Sequence, residues 1–352
     1  MSRSDAPLPR WQIAGAALLA ALNLLAALGG GLQRVGVPLD AGRALQLHGA
    51  LMMAGFFASL ISLERVAALH RGLAVPLLSA MAGLLALAGR HDAAAMLWVL
   101  SAAGLLGLYL WAGHSRAWSL PLLVECSGAL ALLAAALLLA RQGPLEATRW
   151  GWSLFLVLTI AGERRELMRL RPLPRWAAAA FLAGVAAALL ALPLLLALRG
   201  AAAGTLGWAL LGLLALWLLR FDIAWLQRDA PGWAGHTARC LLLGYGWLLA
   251  AAAAGLAGAT IAWHLLWLGF VFAMVFGHAP IMLPPLLGLR PRHSRWALLG
   301  PALMSASLLL RIAAAGGWPA LWPWAGAGHA LALLSFALTM ARLCRDARPQ
   351  RM

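Results

Sequence analysis

Apolar runs of about twenty residues follow one another along almost the whole chain, and each could cross the hydrocarbon core of a bilayer as a helix. Of the 352 residues, 63% are hydrophobic and only 11% are charged. A soluble domain of this size could not bury that much apolar surface. The sequence therefore predicts an all-α integral membrane protein with almost no soluble part.

About twelve apolar runs can be separated, and short connections rich in Pro, Gly or Arg divide them. They predict one polytopic transmembrane domain over residues 1–352, with short tails at about 1–10 and 344–352. The predicted helices span 11–31, 45–63, 72–89, 93–113, 119–140, 149–166, 175–198, 201–220, 237–258, 261–288, 295–314 and 325–343.

The basic residues predict the orientation of these helices. All 27 are arginine, and with the N-terminus inside, 20 of them fall in the termini and cytoplasmic connections, against 7 on the opposite side. Because cytoplasmic loops carry the excess of Arg and Lys, both ends are predicted to lie in the cytoplasm. The net charge of +16 is thus a topology signal, and the expected partner is the lipid bilayer rather than nucleic acid.

Three histidines lie near the starts of even-numbered predicted helices, where the chain would enter the membrane from outside. These are His48, His264 and His329. Imidazoles at one depth could bind a metal ion or supply axial ligands to a haem. The alternative is that each one hydrogen-bonds to lipid headgroups or to loop carbonyls.

Methionines accompany the histidines at helical spacing. Met52 lies four residues after His48, and Met274, His278 and Met282 form a stripe at i, i+4 and i+8. Thioether and imidazole groups together suit copper, and imidazole alone suits haem iron. The alternative for a methionine stripe is packing in the core or against lipid.

The tenth predicted helix carries histidines at two levels. On a regular α-helix, His264 and His278 lie within about 40° of each other but about 21 Å apart along the axis. They cannot share one metal ion. Pro280, Pro284 and Pro285 interrupt the same helix, which predicts freed carbonyls that face protein or a cavity.

Carboxylates gather towards the predicted cytoplasmic side. Glu125 lies within the fifth predicted helix, and Glu163 and Arg164 close the sixth. Because ionisable groups are costly in a membrane, these three residues are candidates for a proton or ion path. The alternatives are salt-bridged helix ends, as for Glu64 and Arg65 at the end of the second helix, and a neutral carboxylic acid at Glu125.

Common catalytic motifs are absent from the sequence. It contains no Walker A run, no GxGxxG in a strand–helix context, no HExxH and no GxSxG. Without soluble catalytic loops, the chain is not expected to be a conventional enzyme, and no catalytic residue is assigned.

Two short runs resemble the NnrS family, twelve-helix bacterial inner-membrane proteins that contain haem and copper. His48-x3-Met52-x2-Gly55-Phe56 resembles that family's H-x-H-E-M-x-x-G-F run, with Ala50 and Leu51 in place of its second His and its Glu. His264-x4-Gly269-x4-Met274 resembles a second helix opening of the family, and Gly277-His278 resembles its later Gly-His. Gly162-Glu163-Arg164 is loosely similar to a Gly-Arg segment.

This resemblance implies haem and/or copper as cofactors, with His48, His264 and His278 as ligands. It also implies a multi-pass protein of the bacterial inner membrane that acts in the response to nitric oxide, with a redox partner or a small gaseous ligand. A more distant likeness, through His48-Gly49, is to the catalytic subunit of haem–copper oxidases. Two other classes of function remain open. One is a transporter of a metal ion or small solute that uses Glu125, Glu163 and the proline-broken tenth helix, and the other is a membrane assembly factor without a cofactor.

Overall fold

The apolar runs fold into helices, as their length and composition predict. The computed structural model describes residues 8–143, 145–197, 201–286, 289–290, 292–345 and 348–349. We number its long helices in chain order and count an interrupted helix once. They are α1 Arg10–Arg34, α2 Ala44–Leu69, α3 Ala74–Leu87, α4 His91–Ser115, α5 Leu120–Ala140, α6 Arg149–Leu167, α7 Arg175–Ala197, α8 Ala201–Phe221, α9 Gly232–Leu256, α10 262–286, α11 Leu299–Ala315 and α12 Trp322–Arg345.

Short elements occupy the connections. Single 3₁₀ turns cover Leu145–Thr148, Met168–Leu170, Arg295–Leu298 and Pro319–Leu321, and one helical turn covers Ala224–Gln227. Two strands of two residues each, β1 Leu289–Arg290 and β2 Arg348–Pro349, pair antiparallel. The tails predicted at about 1–10 and 344–352 fall largely outside the described residues.

Ten helices in the described part of the chain are long and apolar enough to cross a membrane. The other two are α3 and α6. Helix α3 has 14 residues, which is about 21 Å at the usual rise and short of a hydrocarbon core of about 30 Å. Helix α6 has 19 residues but ends in the charged run 163–166. The chain is therefore an all-helical, multi-pass membrane protein.

Helix α2 extends beyond its predicted end. The sequence placed that end at residue 63, because the charged pair Glu64-Arg65 follows, but the helix continues to Leu69. Both charged residues are thus part of the spanning helix. The physical reason is that Arg65 meets acidic side chains from other helices, so its charge needs no exposure to water.

The described chain divides into two compact units. The first comprises residues 1–34, 38–166 and 189–199, and the second comprises residues 35–37, 167–188 and 200–352. Helix α7 contributes to both. The first unit thus holds α1 to α6, and the second holds α8 to α12.

Small residues let α1, α2 and α3 approach closely in the first unit. Asn23 of α1 is fully buried, and its Nδ2 donates to the carbonyls of Leu19 and Ala80 at 2.9 and 3.0 Å. A Cβ at Gly55 of α2 or at Gly83 of α3 would collide with its amide oxygen. Close backbone approach through small residues, with a polar side chain between the helices, is typical of membrane bundles.

Helices α2 and α10 each contain a seven-residue π-helical segment that the sequence reading did not predict. The segments are Leu51–Phe57 and Leu265–Val271, with sequences LMMAGFF and LLWLGFV. Both have Gly at the fifth position and Phe at the sixth. Each begins within three residues of a predicted ligand, His48 in α2 and His264 in α10. Such π turns occur often at functional sites.

Candidate functional site

A half-buried guanidinium in the first unit contacts acidic side chains from three helices. Arg65 Nη2 of α2 lies 2.6 Å from Glu163 Oε1 of α6, 3.3 Å from Glu125 Oε1 of α5 and 4.0 Å from Glu64 Oε1. Its guanidinium also lies 5.8 Å from the centre of the Tyr109 ring. We call these five residues the Arg65 cluster.

The Arg65 cluster holds more acidic than basic groups. Glu125 is only 2% exposed, and three carboxyl groups share one guanidinium within 4.0 Å. Glu64 and Glu163 are half-buried, and carboxylates at this spacing repel one another, which favours the binding of a proton or another cation. The geometry thus suits the binding and release of a proton or a small cation.

Hydroxyl groups line the same helices one turn away from the charged atoms. Ser62 lies three residues before Arg65 on α2, and Thr159 lies four residues before Glu163 on α6, so each shares a face with the charged residue. The hydroxyls of Ser62, Thr159 and Tyr109 are buried and lack a hydrogen-bond partner in the described part of the chain. Buried polar groups of this kind are places where water binds.

Glycine makes the contact between α5 and α6 possible. A Cβ at Gly162 would lie 2.7 Å from Glu125 Cγ and 3.0 Å from the carbonyl oxygen of Pro121. The predicted pair Glu125 and Glu163 is brought together around Arg65. Arg164 is itself buried in α6.

His48 of the first unit is held in one ring orientation. Its Nδ1 lies 2.6 Å from the carbonyl oxygen of Ala27 in α1. A carbonyl only accepts, so Nδ1 carries the proton and Nε2 carries the lone pair of the neutral ring. Gly31, one turn further along α1, leaves room for the ring, because a Cβ there would lie 2.8 Å from His48 Cε1. Metal-ligating histidines are commonly oriented by such a bond to a carbonyl.

His278 in the second unit shows the same polarity. Its Nδ1 lies 2.9 Å from the carbonyl oxygen of Met274, so Nε2 again carries the lone pair. Met274 is 4% exposed, and its methyl group packs against Gly244 of α9. Met282 is half-buried on α10, and Met52 of the first unit is buried within the π segment of α2.

His264 and His329, both predicted ligands, flank one arginine of the second unit. Arg311 Nη2 of α11 lies 3.2 Å from His264 Nε2, which must therefore accept this hydrogen bond. His329 Nδ1 of α12 lies 2.6 Å from Ser307 Oγ, and Ser307 Oγ also donates to the carbonyl of Met304 at 2.9 Å. The structure thus brings two of the predicted histidines into one polar region.

The π segment of α10 changes the relation between His264 and His278. The segment lies between them and contains about one residue more than an α-helix would use for the same turns. Each residue of an α-helix turns by about 100°, so the two histidines are about 140° apart around the axis rather than about 40°. The expectation that they share a face was wrong.

His236 of α9 is a residue that the sequence reading missed. Its Nε2 donates to the carbonyl of Phe276 at 3.0 Å, and Thr237 Oγ1 donates to the carbonyl of Gly277 at 2.8 Å. Pro280 has no N–H for the Phe276 carbonyl, four residues before it, so the side chain of α9 replaces the missing donor. The signal available in the sequence was the proline, which predicts a donor on a neighbouring helix.

No group of three or more His, Cys, Asp and Glu side chains in the described residues could hold a metal ion.

The chain matches one family model over residues 13–345, that of the Domain of unknown function (DUF8744). This match covers nearly the whole chain, so the chain belongs to that family. No curated protein and no solved structure matches it.

Proposed function

We propose that this member of the DUF8744 family is a haem- and/or copper-binding protein of the NnrS type in a bacterial inner membrane. In this proposal, twelve helices span the membrane with both ends in the cytoplasm, and the protein acts in the response to nitric oxide. The observation that carries the proposal is the fixed ring of His48, which points its proton at a backbone carbonyl and keeps its lone pair on Nε2. The resemblance of the His48 and His264 runs to the NnrS family supports the same assignment.

The proposed ligands differ in how well their rings suit coordination. His48 and His278 keep the lone pair on Nε2, and a bound haem or copper would supply one-electron chemistry and an open position for a small gas there. His264 would coordinate through Nε2 only after Arg311 has moved, because that nitrogen accepts from Arg311. His329, Met52, Met274 and Met282 remain the proposed further ligands for copper.

Optical spectra and metal analysis of the purified protein test this proposal. We expect the wild type to show a Soret band or stoichiometric copper. The double variant His48→Ala/His264→Ala and the single variant His278→Ala should each lose whichever of these signals the wild type shows. His114→Ala is the matched control. Like His278, His114 hydrogen-bonds through Nδ1 to the carbonyl four residues earlier, but it is exposed on α4. A wild type with no chromophore and no copper would refute the proposal.

The Arg65 cluster favours a second candidate function, which is the transport of a proton, a metal ion or a small solute. Its specific observation is the set of three carboxyl groups around one guanidinium, of which Glu125 is buried and Glu64 and Glu163 are half-buried, with buried hydroxyl groups one turn away. A carboxyl group that gains and loses a cation inside a bundle is a feature of membrane pumps and transporters. In this candidate function, Glu125 and Glu163 bind the cation, and Arg65 holds them in place.

Flux measurements in proteoliposomes separate the two functions. A pH-sensitive dye inside the vesicles reports protons, and a zinc-sensitive dye reports a divalent metal ion. Transport predicts a flux that Glu125→Gln and Glu163→Gln abolish and that Asp92→Asn, at the exposed start of α4, leaves intact. If the wild type moves neither ion, or if Glu125→Gln moves it at the wild-type rate, this second function is wrong.

A further inference from the structure

One arginine of the second unit, Arg311, has no acidic partner among the residues that the structure describes. Arg311 Nη2 donates to His264, its guanidinium lies 5.0 Å from the centre of the Trp322 ring, and its Nε is buried without a hydrogen-bond partner in the described residues. None of the carboxylates that the structure describes forms a salt bridge with it. Among the described residues, an imidazole and an indole ring are the groups that stabilise this charge.

The acidic residues of the same unit are too far away to neutralise this charge. Asp222 and Asp229 are the two acidic residues that the structure describes there, and both come before α9. His264, which contacts Arg311, comes just after α9. Asp222 accepts from Tyr245, which lies 11 residues, or about 16 Å, before the end of α9 at Leu256. Neither aspartate is therefore within salt-bridge distance of the guanidinium.

A second buried group without a partner lies beside Arg311. His329 is 5% exposed, and its Nε2 lacks a hydrogen-bond partner in the described part of the chain. Ser307, which contacts the other nitrogen of this ring, lies one turn before Arg311 on α11. Trp322, which packs on the guanidinium, lies two turns before His329 on α12. The same faces of α11 and α12 therefore carry both groups.

An oxyanion would satisfy these groups together. A buried cation without a counter-ion is costly in a membrane, and arginine forms short, strong hydrogen bonds with phosphate and carboxylate oxygens. The Ser307 hydroxyl can accept from His329 Nδ1 or donate to it. Ser307 has one hydroxyl proton, which the carbonyl of Met304 accepts in the structure. When the hydroxyl turns this proton to His329 Nδ1 instead, His329 Nε2 carries the ring proton and joins Arg311 Nε as a second donor.

We propose that Arg311, with His264 and His329, forms a binding site for a phosphate group at the end of the second unit that carries the connection 316–321. Basic pockets between membrane helices bind phosphate-bearing headgroups, and free phosphate presents the same oxygens. The site uses Arg311 as its charge, His329 as a second donor and the Trp322 ring as one wall. This inference goes beyond the proposed function and stands without haem, copper or transport.

The first experiment measures inorganic phosphate binding to the full-length protein in dodecyl maltoside, a detergent without phosphate. Calorimetry at constant ionic strength, with chloride as the reference, should give a saturable signal. Arg311→Gln should weaken it by about tenfold or more, because a charge-assisted hydrogen bond is lost. Arg311→Lys keeps the charge and should bind with intermediate affinity. Arg342→Gln, on an exposed part of α12, is the matched control and should bind as the wild type does.

The second experiment distinguishes the source of the phosphate. Native mass spectrometry of the delipidated protein with added phosphatidylglycerol should show a lipid adduct that Arg311→Gln loses if the ligand is a headgroup. Calorimetric binding of inorganic phosphate without such an adduct assigns the site to the free anion. If neither probe binds the wild type, the proposal is overturned, and this result requires no variant. Equal binding by a folded Arg311→Gln protein, with its helix content checked by circular dichroism, overturns it as well.

Discussion

A single methyl group on α1 should displace the ring of His48. In Gly31→Ala the new Cβ would lie 2.8 Å from His48 Cε1 and 3.1 Å from Nδ1. Carbon atoms in contact prefer about 3.5 Å or more, so the ring must retreat by about 0.7 Å. Its hydrogen bond to the Ala27 carbonyl is now 2.6 Å long, and a retreat of that size takes it past the usual limit of about 3.2 Å.

The expected energies favour a loss of stability. Replacing Gly by Ala inside a helix normally stabilises it by about 1 kcal/mol. A buried donor or acceptor without its partner costs about 1–3 kcal/mol. Gly31→Ala should therefore be neutral or destabilising by up to about 2 kcal/mol. Gly29→Ala is the matched control, since its Cβ meets only Ala41 Cβ at 3.9 Å and should stabilise the same helix.

Two measurements check this prediction. Thermal unfolding in detergent should rank Gly29→Ala above the wild type and Gly31→Ala at or below it. If His48 binds haem or copper, the spectrum or the metal content should change in Gly31→Ala alone. A Gly31→Ala protein that gains as much stability as Gly29→Ala, and binds the cofactor equally well, would refute the packing assigned to His48.

Three further changes test the two units. Gly162→Ala should destabilise the first unit by about 1–3 kcal/mol in thermal unfolding, because its Cβ would press on Glu125 and on a backbone carbonyl that cannot yield. Arg65→Gln should cost about 1–3 kcal/mol in the same assay, since it leaves the buried Glu125 and the half-buried Glu64 and Glu163 without their cation. His236→Ala should cost about 1–3 kcal/mol, because the Phe276 carbonyl that Pro280 leaves free loses its donor.

Each of these changes has a control in the same unit. Gly107→Ala meets no atom within 4 Å and should be neutral or stabilising. Arg71→Gln removes a cation–π contact with Trp111 at the end of α2 and should cost at most about 1 kcal/mol. His293→Ala should have little effect, since His293 contacts His236 only ring to ring. A control that loses as much stability as its partner would contradict the stated cause.

The helices could be predicted from the sequence, because length and apolar composition are local properties. The acidic residues of the candidate proton or ion path could be predicted as well, because a charge within an apolar run is costly wherever it lies. The sequence could not predict that Arg65 is the cation that these acidic residues contact. The pair Glu64-Arg65 follows an apolar run directly, so it was interpreted as the cytoplasmic end of a helix. Only the packing of α5 and α6 against α2, with Gly162 at the contact, turns that helix end into the centre of a cluster.

The sequence also could not predict the hydrogen-bond partners of the individual histidines. His264 matched a ligand pattern, but its Nε2 accepts from Arg311, which is 47 positions away along the chain. His236 belonged to no motif, and its role depends on a proline in another helix. Hydrogen bonds between helices depend on how each helix is rotated about its axis and on how deep each residue lies in the membrane. The spacing of residues along one helix predicts neither of these.

The π segments let α2 and α10 absorb a change in length that a uniform helix could not. Removing one residue from Leu51–Phe57 would restore a regular α-helix with the same number of turns, so Arg65 would keep its direction relative to His48. Removing one residue from the α-helical part that follows would instead turn Arg65 by about 100°, away from Glu125 and Glu163. A deletion outside the π segment therefore acts as a rotation, and it would separate the histidine end of the helix from its charged end without changing either set of side chains.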